Sequence, residues 1–114
     1  LSAVREYLDG HFTEKIVLED LSRLFYIDKY YLTKIFKEAY GMTITAYLLS
    51  RRITKAKSLL RFTDMTMEEI GAATGLKDSN YFARSFKKVE GMTPGEYRQS
   101  WKNTNVGTSV RALD

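Results

Sequence analysis

The sequence predicts an all-α fold of seven helices, arranged as two helix-turn-helix subdomains joined by a long central helix. Three observations predict it. Apolar residues recur at intervals of three and four rather than two. Capping residues and glycines punctuate the chain at helix-length intervals. The stretch Leu18 to Tyr47 recurs, about fifty residues later and with more regular caps, as Met67 to Arg98.

The first helix is expected over Ser2 to about Leu8, with Ser2 as N-cap and Gly10 as stop, and with Val4, Tyr7 and Leu8 facing the core. His11, the single histidine, then falls in a loop with Phe12. No acid–nucleophile pair lies near it in sequence, so it reads as structural or exposed, not catalytic. The second helix runs from about Leu18 to Phe25, burying Leu18, Leu21, Leu24 and Phe25. Asp28 caps a third helix, Lys29 to Tyr40, which Gly41 ends in a left-handed C-cap. At about 100° per residue, Leu32, Ile35, Phe36 and Ala39 gather on its inner side, and Tyr30, Thr33, Lys34 and Lys37 on the other.

Thr43 caps the long fourth helix, Ile44 to about Leu60. Leu49, Ile53, Ala56 and Leu60 form its apolar stripe, decorated by Arg51, Arg52, Lys55, Lys57 and Arg61. A rise of ~1.5 Å per residue makes it a rod of roughly 25 Å. Thr66 and Glu69 form a capping box for a fifth helix, Met67 to Thr74, and Gly75 suits the turn. Asp78 caps the sixth helix, Ser79 to Glu90, with Phe82, Ser85, Phe86 and Val89 inward and Asn80, Ala83, Arg84 and Lys87 outward. Gly91 ends it. Thr93, Pro94 and Glu96 supply the cap, N1 proline and N3 glutamate of a last helix ending near Trp101, with a flexible tail over 103–114.

A shift of fifty pairs Asp28 with Asp78, Tyr31 with Tyr81, Phe36 with Phe86, Lys37 with Lys87, Gly41-Met42-Thr43 with Gly91-Met92-Thr93, and Tyr47 with Tyr97. Upstream of the turn the shift is forty-nine, pairing Leu21 with Ile70 and Ser22 with Gly71, so the second copy has one more turn residue. Small residues at Ser22 and Gly71 fit a close helix crossing. Val17 stands where Thr66 caps, and Tyr26 where Gly75 turns. The first turn is therefore expected to be less regular or to use a different backbone conformation.

Charge follows the repeat. Residues 1–28 carry net −3, 29–61 net +7, 62–83 net −3 and 84–102 net +3, within a total of +4. Two evenly spaced basic patches suit a polyanion with a regular groove. There are no cysteines, which excludes disulfides, cysteine zinc sites and thiol nucleophiles. No Ser–His–Asp set, metal-ligand cluster or glycine-rich phosphate loop is visible, so neither an enzyme nor a bound metal or cofactor is expected. No apolar run is long enough for a membrane span and no signal peptide opens the chain, so a cytoplasmic location is expected. The lack of an initiator methionine suggests a piece of a longer protein.

The series Arg52, Ala56, Leu59-Leu60, Ile70, Gly75, Asp78, Tyr81-Phe82, Arg84, Phe86-Lys87-Lys88, Gly91, Thr93-Pro94, Tyr97-Arg98 resembles the AraC/XylS family of bacterial transcription regulators, over roughly Val4 to Trp101. The resemblance implies two homeodomain-like units within a DNA-binding domain at 1–102. The first unit is 1–42, the linking helix 43–62 and the second unit 63–102. It implies that the third and sixth helices enter adjacent major grooves of double-stranded DNA. It also implies a sensing or dimerising domain elsewhere in the parent protein, and RNA polymerase as a partner of the full-length regulator. Gly71 departs from a usual alanine, weakening its helix by roughly 1 kcal/mol. Leu76 departs from a usual phenylalanine, which loosens the packing expected beneath the turn. Relatives that accompany DNA-repair chemistry act through cysteines, which this chain lacks.

The outward positions nominate the readers. Arg84 can make a bidentate contact to guanine and Asn80 to adenine. Lys34 suits guanine or phosphate, and Tyr30 and Thr33 a thymine methyl or backbone oxygen. The resemblance places Tyr30, Thr33, Lys34, Ser79, Asn80, Ala83 and Arg84 at base-reading positions. Lys29, Lys37, Arg51, Lys87 and Lys88 are phosphate candidates. Arg52 is ambiguous and could bridge the two units. Tyr31 and Tyr81 read first as packing residues, and Asp28, Thr66, Asp78 and Thr93 as caps. Two unlike reading faces imply an asymmetric site rather than a palindrome. A non-specific DNA-binding or protein-interaction module is the alternative; it would bind salt-sensitively without a preferred site.

Overall fold

A computed structural model of the chain describes the backbone of residues 1–113 and the side chains of residues 1–103. It has seven helices: α1 (Ser2–His11), α2 (Leu18–Phe25), α3 (Lys29–Tyr40), α4 (Ile44–Phe62), α5 (Met67–Thr74), α6 (Ser79–Glu90) and α7 (Pro94–Leu113), with no strand among the described residues. The chain divides into two compact units, Leu1–Arg52 and Ile53–Asp114, and the boundary falls inside α4.

Caps set most of these boundaries. The Asp28 carboxylate accepts the Tyr30 and Tyr31 amides, both at 3.1 Å, and Asp78 accepts the Tyr81 amide at 2.7 Å. Thr66 and Glu69 exchange reciprocal bonds of 3.1 and 2.8 Å, and Thr93 and Glu96 do the same. These amide donors hold the Glu69 and Glu96 carboxyls below the usual carboxylate range. Thr43 accepts the Ala46 amide at 3.1 Å. Gly41, Gly75 and Gly91 close α3, α5 and α6 at φ 75°, 80° and 82°, where a side chain would be strained.

In the first unit Val4, Leu8, Leu21, Leu32, Phe36, Ile44 and Leu48 form one buried cluster, with Tyr7, Phe25 and Tyr47 packed against it. Tyr47 meets Phe36 edge-on at 5.7 Å and donates its hydroxyl to Asp9. Burial raises the Tyr47 hydroxyl, and the Asp9 carboxylate adds to the effect. The second unit buries Ile53, Ala56, Leu60, Ile70, Leu76, Phe82 and Phe86, with Phe86 edge-on to both Phe82 and Tyr97. Leu76 is fully buried beneath its turn.

Several expectations from sequence are corrected. Ser2 is the first helical residue of α1 rather than its cap; Leu1 holds the cap position without a side-chain bond. Gly10 does not stop α1, which continues to His11. There the imidazole stacks on Tyr7 at 4.0 Å and donates Nδ1–H to the Tyr7 carbonyl at 2.8 Å, holding the last turn. Leu24 is 51% exposed, because it lies about 60° beyond Leu21 at the edge of the α2 stripe. Ala39 and Val89 are exposed: both point inward by the wheel but sit in last turns that outrun the core. In α4, Leu49 is only half-buried. The first half buries Ile44 and Leu48, and the second buries Ile53, Ala56 and Leu60 on a different face, so no single stripe runs its length. The α4 helix ends at Phe62, within the linking segment expected at 43–62, whereas α7 continues past Trp101 to Leu113. Of the tail expected at 103–114, the side chains of 104–114 lie outside the described residues.

Candidate nucleic-acid interface

Each unit positions its second helix through a turn that obeys one backbone rule. Tyr26 closes α2 at φ 56°, ψ 41° and Gly75 closes α5 at φ 80°, ψ 13°, both left-handed. The next amide reaches back in each case, Ile27 to the Ser22 carbonyl at 3.1 Å and Leu76 to the Gly71 carbonyl at 2.9 Å. This is the Schellman pattern, with an apolar residue following the cap. The expectation of a different first turn is therefore corrected: the tyrosine is driven into the glycine's conformation. The extra residue of the second turn is Lys77, itself left-handed at φ 55°. A methyl at Gly71 would meet Phe82 Cβ at 3.6 Å, ordinary contact, so alanine fits there.

From these turns α3 presents Tyr30, Thr33, Lys34 and Lys37 to solvent, Tyr30 being 75% exposed. Thr33 donates its hydroxyl proton to the Lys29 carbonyl at 2.9 Å. In α6, Asn80, Arg84, Lys87 and Lys88 are exposed, while Ser79 and Ala83 are half-buried. Lys34, Lys37, Arg84 and Lys88 enter no ion pair among the described residues, so their charge is available to an external anion.

Three other cations are already engaged. Lys29 pairs with Glu19 at 3.0 Å and stands over the Tyr30 ring at 5.2 Å. The carboxylate raises the Lys29 ammonium and is itself lowered. Arg51 lies 3.3 Å from Asp9 and over the Phe12 ring at 5.3 Å, inside the first unit. Arg52 donates to the Phe12 and Glu14 carbonyls at 2.6 and 2.9 Å, so it ties down a loop of its own unit. Tyr31 and Tyr81 are 58% and 43% exposed, more open than packing residues would be.

Sequence reasoning passed over three residues. Arg98 donates to the carbonyls of Leu60, Met65 and Thr63 at 3.0, 2.9 and 3.2 Å, closing the α4–α5 connection. Glu19 read only as part of an acidic block. Lys77, an exposed cation directly before the α6 cap, is the one basic residue between positions 62 and 83, and that isolation was its signal. Among the described residues no group of three His, Asp or Glu side chains could hold a metal, and no helix is long and apolar enough to cross a membrane. A groove of about 280 Å³ opens in the first unit beside Ile16, Leu18, Thr33, Ile44 and Leu48, with threonine hydroxyls but no charged group on its wall.

Known proteins show the same pattern. Residues 21–100 match the helix-turn-helix domain family. The HTH-type transcriptional regulator YijO of Escherichia coli K12 is 34% identical over 99 residues, which are 87% of this chain and 35% of YijO. The chain thus spans about a third of that relative's length. The C-terminal domain of the two-component response regulator YesN of Fusobacterium nucleatum superposes with a TM-score of 0.81 at 34% identity, covering 85% of this chain and 95% of that domain. The DNA-binding domain of AdpA, solved with a target DNA, shares the fold at a TM-score of 0.85 and 20% identity, covering 90% and 93%. With its two helix-turn-helix units and the match over residues 21–100, the chain belongs to the AraC/XylS family of helix-turn-helix transcription regulators.

Proposed function

We propose that the chain is the DNA-binding part of a bacterial transcription regulator, reading double-stranded DNA with two unlike helix-turn-helix heads in adjacent major grooves. The observation that carries this is the pair of aspartate-capped helices, α3 and α6. Each presents an exposed polar face whose cations, Lys34 and Lys37 in one and Arg84 and Lys88 in the other, have no ion-pair partner among the described residues. Such helices enter the major groove by their N-terminal turns.

Tyr30, Thr33 and Lys34 are the base readers of the first head, and Ser79, Asn80, Ala83 and Arg84 of the second. Lys37, Lys87 and Lys88 take phosphates. Lys29 and Arg51 reach phosphate only by giving up the partners they already hold. The target is an asymmetric two-box site, because the two sets of letters differ. The parent protein works in the cytoplasm, carries a sensing or dimerising domain and engages RNA polymerase; this part of it performs no catalysis. In vitro selection from random duplexes tests the reading. A two-box motif with one helical turn between boxes is the expected result, and a flat profile with salt-sensitive binding reduces the chain to a non-specific binder.

A further inference from the structure

The exposed first turn of α3 holds a three-part array. The Lys29 ammonium lies 3.0 Å from Glu19 Oε1 and 5.2 Å from the centre of the Tyr30 ring. Glu19 is on the first turn of α2 and Lys29 opens α3, so the pair spans the helix-turn-helix. The neighbouring cation Arg23 is occupied by Asp20. The repeat aligns Glu19 with Glu68, but Lys29 with Ser79, so the second head has the acid without the lysine.

A lysine at the start of a recognition helix is ordinarily a generic phosphate contact, adding affinity for any sequence and releasing about one counterion. A carboxylate at hydrogen-bond distance cancels that charge and repels phosphate. The pair also draws the ammonium across the face of the tyrosine, where the ring quadrupole attracts it and restricts how the ring turns. Resting on the DNA-reading function proposed above, we propose that Glu19 is a specificity-determining positioning residue of the first head. It withdraws Lys29 from indiscriminate phosphate binding and fixes the Tyr30 ring for reading.

Glu19→Gln keeps the shape and removes the charge. Binding is measured across a KCl titration on the selected duplex and on a duplex of scrambled sequence, for the wild-type chain, Glu19→Gln, Lys29→Ala and the double variant. Glu19→Gln is expected to bind the scrambled duplex about three- to tenfold tighter at low salt, with a salt slope steeper by about one. Its preference for the selected duplex should narrow, and its thermal unfolding should stay unchanged. In the Lys29→Ala background the steeper slope should vanish. An unchanged slope and preference in Glu19→Gln overturns the proposal. So does a steeper slope that survives loss of Lys29, since Glu19 would then act by its own charge alone. If the wild-type chain selects a site but Glu19→Gln is silent, only this inference falls; if the wild type binds neither duplex, the DNA-reading function falls with it.

Discussion

Arg52 in the first unit and Arg98 in the second perform one task from different places. Each guanidinium collects backbone carbonyls from the segment leading into its helix-turn-helix: Phe12 and Glu14 in one case, Leu60, Thr63 and Met65 in the other. Glu14 and Thr63 occupy equivalent places in the repeat. The arginines do not: Arg98 aligns with Leu48, and Arg52 lies one helical turn beyond Leu48. What recurs is the need to satisfy carbonyls left open where a helix ends. The second unit's tie also places a cation against the C-terminal end of α4, where the helix dipole favours it. The units therefore share a backbone requirement and differ in the side chain that meets it. The same holds at the turn, where Tyr26 adopts the conformation that Gly75 takes freely.

The sharpest way to break this comparison is to remove the ties. Arg98→Met should cost about 2–4 kcal/mol in denaturant unfolding, because three carbonyls lose a charged donor, and Arg52→Met should destabilise the first unit by the same route. No loss in either variant would mean that water satisfies these carbonyls as well as the guanidinium does. Next come the readers. Arg84→Ala should cost about 1–3 kcal/mol, confined to one base pair of the selected site, whereas Lys87→Ala should weaken binding to every duplex and lower the salt slope by about one. Uniform weakening by Arg84→Ala would reassign it to phosphate.

Smaller effects belong to the turns. Gly75→Ala should destabilise by about 1 kcal/mol, since a side chain at φ 80° is strained. Tyr26→Gly should gain up to about 1 kcal/mol by relieving the same strain. If Tyr26→Gly instead destabilises, the 95% exposed ring is holding something the backbone alone does not reveal. The smallest effect is acid sensitivity. Glu69 and Glu96 are depressed in the folded chain by their amide donors. Their stabilisation is therefore complete above the ordinary carboxylate pKa of 4.5 and is lost as pH falls through the lower folded values. Glu69→Gln with Glu96→Gln should flatten unfolding stability against pH in that window. The first unit has no such capping boxes to lose, as Val17 provides no side-chain cap and Ala46 follows Thr43 at N3.

The boundaries of α3, α5 and α6 were legible in the sequence because their caps are local: an aspartate or threonine at one end, a left-handed glycine at the other. The outward faces of α3 and α6 were legible from periodicity. What escaped needed tertiary information. Gly10 reads as a stop until His11 is seen stacked on Tyr7. The α4 stripe reads as one until its halves are seen to bury different faces. Arg98 and Glu19 carry no local mark, since their partners lie 33 to 38 and 10 residues away in sequence.

The extra Lys77 has a consequence for how such a reader changes its target. The insertion sits before Asp78, and the aspartate still begins its helix as Asp28 does. Counted from each aspartate, the proposed letters fall at the same second, fifth and sixth places, Tyr30-Thr33-Lys34 and Asn80-Ala83-Arg84. The carboxylate is a zero mark from which the text is measured, and lengthening the turn leaves that ruler undisturbed. Each recognition helix is thus a cassette: transplanting three letters between the frames should exchange the boxes of the operator while the scaffold stays as it is.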